Sequence, residues 1–138
     1  MTLLNLSLCL LPVSRHSLLL RLLGTSFERA IKFHRYAARA TLLCALVHLV
    51  DMLALFGSAF CLSANSNPNH GGPVFGLLAV VCFGVMAAVA VHVVRRKRFE
   101  LFWYTHSLFD LGVILVVIHS PLSLLLLWPG CLLWIIDT

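Results

Sequence analysis

Residues 26–48, SFERAIKFHRYAARATLLCALVH, and residues 95–119, RRKRFELFWYTHSLFDLGVILVVIH, decide the fold. Each opens on basic residues, turns apolar, and carries a pair of histidines, His34 with His48 and His106 with His119. A long apolar run with its positive charge gathered at one end is the pattern of a helix that crosses a bilayer. The surrounding sequence agrees. Of 138 residues, 61% are apolar and 11% charged, and a mean hydropathy of +1.00 cannot be spread over a soluble surface. Residues 1–138 are therefore expected to form one all-α domain, a polytopic transmembrane bundle of about four full spans plus a shortened N-terminal helix. That leaves no length for a soluble catalytic domain.

The formal net charge is +5, and all ten Lys and Arg fall between Arg15 and Arg39 or between Arg95 and Arg98. This distribution orients helices in a membrane and is not a nucleic-acid footprint. The five cysteines, at positions 9, 44, 61, 82 and 131, form no CxxC and are given no disulfide, iron-sulfur or zinc role. The apolar start, Met1 to Val13, has no basic residue before it, so it fits the inner half of a membrane helix better than a signal peptide.

Punctuation divides the chain further. Pro12 and the Ser14-Arg15-His16-Ser17 cluster break the first apolar run into a short helix and an interfacial piece. Thr25-Ser26-Phe27-Glu28 matches a capping box, predicting a helix from about Ser26 that is basic to Arg39 and apolar to about Phe60. Residues 63–72, SANSNPNHGG, read as an exposed loop. Pro73 opens the next run, to Val94, in a first-turn position. Phe99 to His119 is a further span, Ser120-Pro121 punctuates it, and a last run reaches Asp137 with a kink expected at Pro129-Gly130. The positive-inside rule places both basic stretches on the cytoplasmic side of an integral, multi-pass membrane protein and the Asn-rich loop outside. The Ser26 and Phe99 helices then run in the same direction.

Histidines inside membrane spans are costly and are functional candidates by default. His34 and His48 are 14 residues apart and His106 and His119 are 13 apart, so each pair is separated by roughly 20 Å along its helix. Co-directed helices put His34 and His106 near the inner side, and His48 and His119 near the outer side. Two imidazoles facing each other at one depth can fill both axial positions of a haem iron, and two such levels make a relay for single electrons. A spacing of 14 returns within roughly 40° of the same face, whereas 13 misses by about 140° in an ideal helix, so the second helix needs a π-bulge, a kink or opposite side-chain reach. Any one of these histidines alone is equally well read as a hydrogen bond between helices. A single zinc or copper ion is disfavoured, since roughly 20 Å separates the members of each pair. His16, His70 and His92 are unassigned, His92 being placed to meet lipid headgroups or a haem propionate.

The same two stretches, with their His-x13-His and His-x12-His spacings, resemble the haem-carrying helices of the ferric reductase and NADPH oxidase superfamily, and residues 10–24, LLPVSRHSLLLRLLG, resemble the segment before the first of them. The resemblance implies two b-type haems, His34 and His106 binding the inner iron and His48 and His119 the outer. It implies electrons taken from a cytoplasmic flavin and delivered outside, to ferric iron as the leading acceptor or to oxygen, giving superoxide, as the alternative. A third reading, from a different class, is a non-catalytic helical membrane protein without haem. Members usually have six helices followed by a flavin and nicotinamide domain. Here FAD is expected only on a missing domain or partner, so that a flavin-containing reductase and the lipid bilayer are the implied partners. Arg29, Lys32, Arg35, Arg39 and Arg95–Arg98 suit inner propionates, a flavin partner, or simple topology. Asp51 and Asp110, one helical turn after His48 and His106, are candidates to steer an imidazole or to serve packing alone.

Overall fold

The computed structural model describes residues 2–9, 18–63 and 71–137, and among them every regular element is helical. In chain order these are α1 (Thr2–Cys9), α2 (Leu18–Leu22), α3 (Phe27–Cys61), α4 (Pro73–Val89), α5 (His92–Lys97), α6 (Phe99–His106), α7 (Leu108–His119), a 3₁₀ turn (Pro121–Ser123) and α8 (Leu124–Asp137). Phe27–Cys61 and Phe99–His119 are long and apolar enough to cross a bilayer, and Pro73–Val89 and Pro121–Leu132 are shorter apolar helices. The chain is an all-α membrane helical protein. Its expected break at Pro12 to Ser17, with His16, and most of the Asn-rich loop, with His70, lie outside the described residues.

Residues 1–45 and 122–138 make one compact unit, and residues 46–121 another. In the first unit, α1 and α2 pack on α8. Lipid tails are as apolar as leucine, so helices in a membrane associate through close packing rather than through the hydrophobic effect. Small side chains serve that purpose here. Ala37, Thr41 and Ala45 form a buried stripe on α3 at four-residue spacing. The Thr41 hydroxyl, 6% exposed, donates to the Ala37 carbonyl at 2.9 Å and lies 3.6 Å from Cys9 Sγ on α1. Ser123, Leu127 and Gly130 form the buried side of the last segment. The expected kink at Pro129-Gly130 does not interrupt α8, which stays helical through Pro129.

Local chemistry explains the ends. Gly24, at φ 59°, follows α2 in a left-handed conformation. The Gly24 amide donates to the Arg21 carbonyl at 3.2 Å and the Thr25 amide to the Leu20 carbonyl at 3.0 Å, the paired bonds of a Schellman motif. The capping box, by contrast, is not formed as expected. Helix α3 does start where predicted, with the Ser26 carbonyl accepting from the Ala30 amide at 3.1 Å, but the Thr25 hydroxyl donates to the Leu23 carbonyl at 3.5 Å instead of capping. Near its other end α3 is kinked at Gly57, whose φ of 76° and ψ of 171° belong to a region essentially reserved for glycine.

In the second unit α4 packs against α6 and α7, and α5 against α6. Pro73 occupies the first turn of α4, as its missing amide hydrogen allows. The Val74 amide donates to the Ser63 carbonyl at 3.3 Å, joining the start of α4 to the end of α3. Gly112 on α7 is buried against α4: a Cβ there would meet the Phe83 ring at 2.6 Å, and Phe83 in turn lies 6.2 Å from the Phe109 ring. The apolar run that continues to Val94 in sequence is not one helix. Helix α4 ends at Val89, Val91 is extended (φ −57°, ψ 139°), and α5 carries Arg95, Arg96 and Lys97 on a short helix of its own. Charges this dense favour the polar interface over the end of an apolar span.

Candidate functional site

On α3, residues 34, 37, 41, 45 and 48 fall within roughly 80° of one another at 100° per residue. The buried small-residue stripe therefore lies between His34 and His48 on the same face. His34 is half-buried, with its Nδ1 shielded from solvent. His48 is exposed. Arg29, Lys32, Arg35 and Arg39 are all exposed and are turned roughly 100–160° away from His34. Of these, Lys32, Arg35 and Arg39 border a shallow hollow with Tyr36. Helix α3 thus carries its basic residues on the side away from His34, which disfavours these four as propionate partners beside His34.

The second pair sits on a broken helix. The Thr105 hydroxyl donates back to the Leu101 carbonyl at 2.7 Å and lies 3.2 Å from the Phe102 carbonyl, the kind of back-bonding that bends helices. Immediately after His106 the regular ladder lapses at Ser107, and the Asp110 amide reaches the Ser107 carbonyl at 3.3 Å as α7 begins. This break lies between His106 and His119, where a spacing of 13 requires a departure from ideal geometry. His106 is half-buried with a shielded Nδ1, and its ring lies 5.0 Å from that of Phe102.

His119 ends α7 and is the most closely defined of the four. Its Nδ1 lies 3.4 Å from the Gly72 carbonyl oxygen. A Cβ added to Gly76, on the first turn of α4, would meet its ring atoms at 3.0–3.1 Å, and one added to Gly71 would collide with the Ile118 carbonyl. Gly71 and Gly76 thus let the backbone at the start of α4 close over the end of α7. Sequence reasoning took Gly71 and Gly72 only as loop punctuation and overlooked Gly76. Nothing in the spacing along the chain signals their approach to His119, more than 40 residues away in sequence.

Among the described residues, His48 and His119, both in the second unit, neither hydrogen-bond nor stack on each other. Asp51 and Asp110 are exposed and bond to none of the histidines, so neither orients an imidazole here. No three of His, Cys, Asp and Glu converge as a metal-binding group among the described residues. The donor chemistry suits a haem: single imidazoles offered one at a time, and a cradle against His119 that a Cβ would fill.

The sequence profile of the family described as "Ferric reductase like transmembrane component" matches residues 1–117. Among curated proteins, ferric reduction oxidase 4 of Arabidopsis thaliana is 33% identical over 129 residues, covering 91% of this chain and 18% of that protein. Chloroplastic ferric reduction oxidase 7 of the same plant is 30% identical, covering 79% of this chain and 15% of its own. Human dual oxidase 2 is 27% identical, covering 72% and 8%. The chain thus spans less than a fifth of the length of these relatives. No solved structure matches it.

Proposed function

The chain belongs to the family of ferric reductase-like transmembrane components, whose relatives are oxidoreductases, and from that membership we propose that it is a transmembrane electron conduit. We place all of residues 1–138 in one haem-carrying membrane domain with its basic stretches toward the cytoplasm. His34 and His106 hold an inner b-type haem, and His48 and His119 an outer one. When bound, such haems supply reversible one-electron iron couples with no open coordination position, which favours electron transfer. The donor is a flavin, as FAD, on a separate or adjoining reductase. The acceptor on the outer face is ferric iron, in keeping with the names of the ferric reduction oxidases.

The protein's own residues have defined parts. The α3 stripe of Ala37, Thr41 and Ala45 is small and buried, and through Thr41 it sets α3 close against α1 at Cys9. The break at Ser107 lies between His106 and His119, where the spacing of 13 needs a departure from ideal helix geometry. The basic side of α3 faces the cytoplasmic interface, where headgroups or a flavoprotein would meet it.

The observation that carries this reading is the cradle at His119, in which a backbone carbonyl reaches one ring nitrogen and leaves the other to act as a ligand. Expression of the chain in haem-replete membranes should give a b-type spectrum that dithionite reduces. Well-folded protein with no haem would remove the proposal. A second reading, oxygen reduction to superoxide, is favoured by the dual oxidases among the relatives. Parallel iron-reduction and superoxide assays with an added flavin reductase distinguish the two.

A further inference from the structure

Imidazole has one proton to share between two ring nitrogens when neutral, and the partner of one nitrogen decides the chemistry of the other. A carbonyl oxygen can only accept. The 3.4 Å approach of His119 Nδ1 to Gly72 O is therefore a hydrogen bond only when Nδ1 carries the proton, and then Nε2 holds the free lone pair. The acceptor is itself fixed, because Gly72 O also takes the Phe75 amide at 3.1 Å in the first turn of α4. The ring cannot retreat toward α4, since at Gly76 even a methyl group would lie 3.0 Å from Cε1 and 3.1 Å from both Nδ1 and Nε2. Glycine at this position is thus what allows the imidazole to sit against the helix within reach of the Gly72 carbonyl.

We infer that Gly76 is a positioning residue for His119, and that together with the Gly72 carbonyl it fixes the Nδ1–H tautomer and presents Nε2 to the outer haem. The ligand part of this inference rests on the proposed haem reading, whereas the tautomer and the ring position do not. Gly84 lies two turns further along the same helix, and a Cβ there would meet nothing within 4 Å. Gly84→Ala is accordingly the matched control, with the same added methyl group and no ring to displace.

The test uses the full 138-residue chain in detergent micelles, haem-free and haem-loaded, labelled with ¹⁵N-histidine and assigned with His119→Gln. In haem-free protein the His119 ring shifts should report the proton on Nδ1. Gly76→Ala should abolish that preference, and Gly84→Ala should retain it. In loaded protein Gly76→Ala should alter one low-spin electron paramagnetic resonance signal and leave the other in place, because displacing a ligand's support weakens metal binding by about 10- to 100-fold. A wild-type proton on Nε2, or a Gly76→Ala protein with unchanged ring shifts, would overturn the inference. The wild-type tautomer decides the matter even if Gly76→Ala does not fold. Failure of the haem reading looks different: the wild-type chain shows no b-type spectrum, while the nitrogen shifts still report on Gly76 and Gly72.

Discussion

At the scale of single residues, the four histidines are unequal in their surroundings. His34 and His106 are half-buried, His48 is exposed, and His119 is held against α4. On the proposed haem reading, replacement of His48 or His119 by alanine should remove about half of the bound haem, since these two would together hold one of the two groups. Pyridine haemochrome assays on purified protein measure this directly. Retention of the full haem content in either variant would count against the pairing. Gly112→Ala should lower stability by about 1–3 kcal/mol through overpacking, because its Cβ would lie 2.6 Å from the Phe83 ring, and thermal unfolding in detergent reads the loss. The histidines were legible in the sequence because an ionisable group in an apolar run stands out at once. The glycines that support them were not, since a close approach between α4 and α7 depends on which helices pack together, and spacing along one helix does not reveal that.

At the scale of elements, residues with strictly local effects were the readable ones. Pro73 opens α4 and Ser120-Pro121 closes α7 as expected, because a missing amide hydrogen acts within one turn. Where side chains compete for partners the reading failed: the Thr25 hydroxyl found the Leu23 carbonyl and left the capping box unmade. Pro129, where a kink is expected, lies inside the continuous helix α8, in keeping with the tolerance of membrane helices for proline when neighbouring groups satisfy the freed carbonyl. The interruption after Val89 had no Gly or Pro to announce it. Two substitutions test the bends. Gly57→Ala should cost about 1–3 kcal/mol or straighten α3, since its backbone conformation is nearly closed to other residues. Thr105→Val removes the hydroxyl that bonds back to Leu101 and should straighten the α6–α7 junction. Distance measurements between spin labels on α6 and α7 would show the span lengthening, and an unchanged distance would assign the bend to Ser107 alone.

For the whole molecule, composition alone was decisive for the class, because a chain with 61% apolar residues has few other places to be. Family membership followed from long stretches around the histidines, and the match to residues 1–117 agrees with it. What lay beyond reach was the division into two compact units, which depends on contacts between distant segments. The proposed orientation makes a sharp prediction. With the native cysteines replaced, a cysteine at Asn67 should react with a membrane-impermeant maleimide on intact cells, and one at Lys97 only after lysis. The reverse pattern would invert the proposed direction of electron flow.

The bond from the Val74 amide to the Ser63 carbonyl, 3.3 Å long, ties the end of α3 to the start of α4 across the ten positions between them in sequence. Each doubling of the sequence length between two tied ends should cost only about 0.6 kcal/mol of closure entropy. An epitope or a small reporter spliced between Asn65 and Asn69 should therefore be carried with little disturbance, which makes this stretch of the sequence a handle for purification and imaging.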